Sequence, residues 1–199
     1  MARVDAFDRD IAQYIATHRT AALTHVAHVA TAAGSEVSVA LLSALTIGLL
    51  LFRFGRVRAA AVFTAGMAGS VFLTLGVKLL VGRQRPGTHY RLGPPDSSYS
   101  FPSGHTLNTT VFLLMLVLAL WPVVPRSRHA VMLAVAALAS VTVGLSRLYL
   151  GYHWATDVLG ALVIGVVWSA IVVRLSLSNL GTALTGPEPS TAPPARQRS

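Results

Sequence analysis

Five stretches of this 199-residue chain carry no charged residue at all: 37–52, 59–77, 106–124, 130–146 and 158–173. A hydrocarbon core is crossed by about 20 mostly apolar residues rising roughly 1.5 Å each, and each stretch reaches that length by taking in a few flanking positions. Amphipathic helices of a soluble bundle show a polar face at every turn. These stretches show none, so the sequence predicts an all-α fold, an integral membrane helical bundle. A composition of 53% hydrophobic and only 12% charged residues also lies outside the range of ordinary soluble domains.

The segment 6–33 is interrupted by Asp8, Arg9, Asp10 and Arg19. It reads as an interfacial amphipathic helix near 7–18, then a short first span ending at Gly34, with His25 and His28 neutral. About six transmembrane helices are therefore expected, five of them clear. A cleavable signal peptide is not expected, because acidic residues stand where its basic start belongs. Residues 1–178 read as one membrane-embedded domain. Residues 179–199 read as a polar, proline-rich tail too poor in apolar surface to order itself.

The net charge of +9, from 16 Lys and Arg against 7 Asp and Glu, sits in short clusters between the apolar stretches. That is the pattern of membrane loops and anion ligands; the solvated stripe of a nucleic-acid-binding surface is not present, and no nucleic-acid partner is expected. With no cysteine in the chain, disulfides, thiolate metal sites and thiol nucleophiles are excluded.

An ionisable group beside hydrocarbon is costly and usually functional. Lys78 closes the third expected span, with Arg85 soon after it; Pro102-Ser103-Gly104-His105 opens the fourth; Arg147 closes the fifth; His153 and Asp157 open the sixth. Counting crossings puts all of them at one membrane face. Three permanent cations, Lys78, Arg85 and Arg147, repel one another there unless an anion resides among them. Phosphate fits: arginine offers a planar fork and lysine a point charge, while Ser103 stands where it would cap a helix whose first amides, at Gly104 and His105, point at the anion. His153 and Asp157, four apart, share a helical face, so the carboxylate can hold one ring nitrogen and leave the other basic for attack on phosphorus. His105, from another helix, is placed to protonate a leaving oxygen.

A serine esterase built on Ser103 lacks the Gly-x-Ser-x-Gly elbow and leaves the cations unexplained. A divalent metal on His105, His153 and Asp157 has suitable ligands but would be repelled by the same cations.

Lys78 with Arg85-Pro86, Pro102-Ser103-Gly104-His105, and Ser146-Arg147 with His153 and Asp157 resemble, in order and spacing, the three signature motifs of the type 2 phosphatidic acid phosphatases. The resemblance implies that Lys78, Arg85 and Arg147 hold the phosphate with Ser103 and the Gly104 amide. It further implies that His153 forms a phosphohistidine, Asp157 orients it and His105 is the general acid. Neither metal nor cofactor is implied. Vanadium haloperoxidases carry the same motifs, but are soluble and much larger. The expected activity is hydrolysis of a membrane lipid phosphate or prenyl pyrophosphate, such as phosphatidate, phosphatidylglycerophosphate or undecaprenyl pyrophosphate. Phosphotransfer to a lipid or sugar acceptor is the alternative, as is a lipid phosphate carrier without catalysis, although a carrier has no need of nucleophile, orienter and acid together.

Eight arginines, Arg53, Arg56, Arg58, Arg126, Arg128, Arg174, Arg196 and Arg198, fall opposite the cluster, against five cations beside it, Lys78, Arg83, Arg85, Arg91 and Arg147. The positive-inside tendency predicts a multi-pass protein of the cell membrane with a cytoplasmic tail and an outward-facing site. Tyr90, Tyr99, Tyr149, Tyr152 and Trp154 are expected to form an interfacial belt near that site.

Overall fold

The computed structural model describes residues 2–184, with side chains from 6 to 178. Its helices are α1 (Ala2–Thr17), α2 (Ala21–Ala33), α3 (Glu36–Gly48), α4 (Val57–Val81), α5 (Gly104–Leu120), α6 (His129–Tyr149) and α7 (Ala155–Leu184). A π-helical turn, Leu49–Arg53, prolongs α3. The fold is the expected all-α membrane bundle. Four segments, Glu36–Arg53, Val57–Val81, Arg126–Tyr149 and Ala155–Ser178, are long and apolar enough to cross a bilayer.

The other two expected spans are short. α5 has 17 residues, about 26 Å of helix, and is enclosed by α3, α4, α6 and α7. α2 has 13 residues, about 20 Å, which falls short of the hydrocarbon thickness. It packs on α6, while α1 lies against α6 and α7. Thr20 and Ser35 start α2 and α3 by accepting from the amides of Leu23 and Ser38 at 3.3 and 3.2 Å. The backbone of α7 continues to Leu184, beyond the domain boundary expected at residue 178; the proline-rich part of the tail lies outside the described residues.

Helices in lipid gain little by hiding apolar surface from one another, so contact depends on close packing and on pairing polar groups. Phe63, Leu107, Val111, Phe112 and Met115 form the centre of the bundle, with Phe63 and Phe112 edge to face at 5.9 Å. Hydroxyls inside the helices, at Thr46, Thr110, Ser140 and Ser169, return to the carbonyl four residues back, leaving no donor facing lipid there. At one end of the bundle Arg56 donates to Ala119 O at 2.7 Å and Arg58 to Ser176 O at 2.8 Å. These bonds tie the start of α4 to the ends of α5 and α7. The chemistry-bearing residues collect at the opposite end.

Candidate active site

The turn from α6 into α7 presents His153. Gly151 adopts φ 73°, and a Cβ there would stand 2.0 Å from the carbonyl oxygen of Tyr90, so only glycine fits this bend. His153 precedes α7, which starts at Ala155. The pair is therefore not on one helical face as expected from the spacing, yet His153 Nδ1 still lies 3.5 Å from Asp157 Oδ2. Asp157, in the first turn of α7, accepts from the amide of Trp154 at 2.9 Å and from the hydroxyl of Ser100.

On its other side, His153 Nε2 lies 3.2 Å from Arg85 Nη1. A guanidinium only donates, so Nε2 must accept, and the ring proton belongs on Nδ1, facing the carboxylate. The tautomer follows from geometry, with the Nε2 lone pair directed at the cations. Burial, reinforced by the charges of Arg85 and Arg147 and partly offset by Asp157, pushes His153 from its ordinary 6.5 down to about 4. The imidazole is neutral near pH 7.

The three expected cations do converge, but differently paired. Arg85 donates to Ser98 O, Ser98 Oγ and Tyr152 O, each at 2.8 Å. It also pairs with Asp96 Oδ2 at 2.7 Å, so one of the three is neutralised by a carboxylate that sequence reasoning left aside. Asp96 is held below the usual carboxylate range: burial works against this, but the Ser98 amide and Arg85 outweigh it. Lys78 Nζ bonds Tyr99 O and Ser98 Oγ, the latter at 3.3 Å. Arg147 gives Nη1 to Thr31 Oγ1 at 2.8 Å and lies over the Tyr152 ring at 4.1 Å. Its buried Nε has no hydrogen-bond partner among the described residues.

Ser103 occupies the N-cap position of α5, but its side chain makes no capping bond. It accepts instead from Thr106 Oγ1 at 3.0 Å, which frees its own proton for another acceptor. The open side of Gly104 faces Thr74 Cγ2 at 3.3 Å and Glu36 Oε1 at 3.8 Å, measured from an ideal Cβ. His105 forms no side-chain hydrogen bond among the described residues and stands within Coulombic range of Arg147, His153 and Arg85. Tyr152 is buried beneath Arg147 and takes no place in an interfacial belt.

Sequence reasoning counted Arg83 only as a charge. In the structure it bonds Asp157 Oδ1 and Asp8 Oδ2, both at 2.6 Å. Ser100, Asp96 and Asp8 were equally unassigned. Each is an ordinary polar residue in sequence and acquires meaning only from its partner. Between α3, α4 and α5 lies a cavity of about 480 Å³ lined by Glu36, Val39, Ser43, Met67, Thr74 and Asn108, of which Glu36 and Thr74 also face Gly104.

Over 74 residues, 36% of each chain, the sequence is 40% identical to phosphatidylglycerophosphatase B of Bacillus subtilis. It is 32% identical to an undecaprenyl-diphosphatase of Sulfolobus acidocaldarius over 88 residues, 43% of this chain and 38% of that one. The matched segments thus span little more than a third of these relatives. The solved structure of the PAP2-type phosphatidylglycerolphosphate phosphatase of Bacillus subtilis superposes with a TM-score of 0.80 at 25% identity, covering 89% of this chain and 88% of that one. Aquifex aeolicus LpxE shares the fold at a TM-score of 0.65 and 22% identity, over 84% and 94% of the two chains. The model of the PAP2 superfamily matches residues 59–180, a range that holds every expected phosphate ligand and both histidines, and the chain belongs to that superfamily.

Proposed function

We propose that the protein is a membrane phosphatase that hydrolyses a lipid phosphate or prenyl pyrophosphate through a phosphohistidine on His153. The observation that carries this reading is the neutral, buried His153, with its Nδ1 proton turned to Asp157 and its Nε2 lone pair turned to the cation cluster. The unpaired Nε of Arg147 supports an anion at the same place. The relatives named for lipid phosphates and diphosphates support the substrate class.

Lys78, Arg85, Arg147, the Ser103 hydroxyl and the Gly104 amide hold the phosphoryl oxygens in this reading, and meet the charge that develops on them. Nε2 forms a bond to phosphorus as the bond to the leaving oxygen breaks, and His105 gives that oxygen its proton. Asp157 stabilises the ring as it becomes cationic. Water, deprotonated by His105, then attacks phosphorus. The P–Nε2 bond breaks and inorganic phosphate leaves. The hydrocarbon tail would lie in the cavity between α3 and α4, keeping the headgroup at the depth of the cations.

Purified protein in detergent, offered phosphatidate, phosphatidylglycerophosphate, undecaprenyl pyrophosphate and a soluble sugar phosphate, tests the reading by phosphate release. Preference for the soluble ester would sink it. The active site is proposed to face outward and the tail inward, from the arginines Arg53, Arg56, Arg58, Arg126, Arg128 and Arg174 at the other end. A reporter fused after Arg174 that worked only on the outer side would reverse that orientation.

A further inference from the structure

Arg83 is one guanidinium shared between two buried carboxylates, one from the first helix and one from the last. Its Nη1 donates to Asp157 Oδ1 at 2.6 Å and its Nη2 to Asp8 Oδ2 at 2.6 Å. Asp8 and Asp157 are 1% and 0% exposed. Asp8 is further held by the amide of Thr156 at 3.0 Å and by the Thr156 hydroxyl at 2.5 Å, while that hydroxyl also accepts from Arg83 Nη1 at 2.6 Å. A carboxylate buried on an amphipathic helix and given this many partners is a built feature, since a buried charge left unpaired is strongly destabilising.

The consequence lies in how Asp157 divides its oxygens. Oδ1 belongs to Arg83, whereas Oδ2 receives Ser100, Trp154 and His153. An unconstrained arginine prefers to grip a carboxylate with two parallel bonds, taking both oxygens. Asp8 occupies Nη2 and so denies Arg83 that grip. It also balances part of the charge that Arg83 brings to Asp157.

Resting on the phosphohistidine reading above, we propose that Asp8 of α1 is a positioning residue for the reaction: it acts through Arg83 to keep Asp157 Oδ2 free for His153. It touches neither substrate nor the reacting atoms. The short helix before the first span is then part of the catalytic apparatus and more than a membrane anchor.

The test uses full-length protein carrying Asp8→Ala, Arg83→Ala or both, with Asp8→Asn, which keeps the volume, standing in if Asp8→Ala does not fold by thermal unfolding in detergent. We expect Asp8→Ala to lower kcat about tenfold to a hundredfold, the scale of a small displacement of catalytic groups, with KM within about twofold because no phosphate contact is lost. The double variant is expected to be no worse than Arg83→Ala alone, because Asp8 works only through that residue. Losses that multiply, or a fall carried by KM, would overturn the proposal and leave Asp8 as a docking contact. A readout free of turnover is the Nδ1 proton resonance of His153 in protein labelled with 15N-histidine, assigned with His153→Asn. It should move or broaden in Asp8→Ala, and an unchanged resonance would equally overturn the proposal. If the wild type releases phosphate from no lipid, the proposed function fails, and the resonance alone decides the role of Asp8.

Discussion

His153 Nε2 and Arg85 Nη1 stand 3.2 Å apart, so the nitrogen proposed to attack phosphorus is in contact with a cation proposed to hold phosphate. A phosphoryl group bound by Arg85 would therefore arrive next to the lone pair. The same contact opposes protonation of the ring.

The pH dependence follows from this. With His153 pushed down to about 4, its neutral form persists as pH falls through 6.5 and is lost only near the lower value. The acid limb of kcat/KM, the fall with decreasing pH that reports the nucleophile, should therefore lie below about pH 5 once corrected for the ionisation of the substrate, while His105, needed in its protonated form, acts on the opposite, alkaline limb. An acid limb near pH 6.5 would mean that His153 is solvated or differently paired. His153→Asn, similar in bulk but unable to attack, should abolish turnover and any acid-labile phosphoenzyme in a folded protein.

His105 should matter in proportion to the leaving group. An alkoxide needs a proton to depart, whereas a pyrophosphate expels an already stabilised phosphate. General acid catalysis is worth about 10²–10⁴-fold, and His105→Ala is expected to lose on the order of a hundredfold on phosphatidate but clearly less on undecaprenyl pyrophosphate. Equal losses on both lipids would remove the acid role.

Metal dependence separates the phosphohistidine from a metal-bound water. Because Lys78, Arg85 and Arg147 would meet the charge of the transferring group, activity should survive EDTA and be inhibited by vanadate, which can take up the five-coordinate geometry on His153. Loss in EDTA that a divalent ion restores would revive the metal site.

Gly151 offers a test of the scaffold. Alanine there meets both φ 73° and a Cβ position 2.0 Å from Tyr90 O. Strain of this kind costs about 1–3 kcal/mol per residue. Gly151→Ala should lower the thermal midpoint in detergent and reduce kcat as well, since the bend joins Arg147 to His153. A variant with wild-type stability and rate would show that this bend is adaptable.

Much of the site was legible in the chain. A bilayer forces long uncharged helices, so the four segments of spanning length were readable directly. Successive crossings must then alternate faces, which brings Lys78, Arg85, Ser103, Arg147 and His153 to one end without any knowledge of packing. Asp96, Ser100 and Arg83 carry no such signal, because loop residues obey no period and their partners are set by where the loop folds back.

What the sequence determined by itself was therefore the membrane bundle, its family motifs and the end at which they meet, since hydrocarbon thickness and crossing parity act on the chain locally. Tertiary structure alone decided which partners those residues take. It gave Arg85 to Asp96, laid Tyr152 under Arg147 instead of at the interface, and brought Asp8 against Arg83, 75 residues away. A buried charge accepts whichever partner docking presents within about 3 Å, and no periodicity in the sequence records that distance.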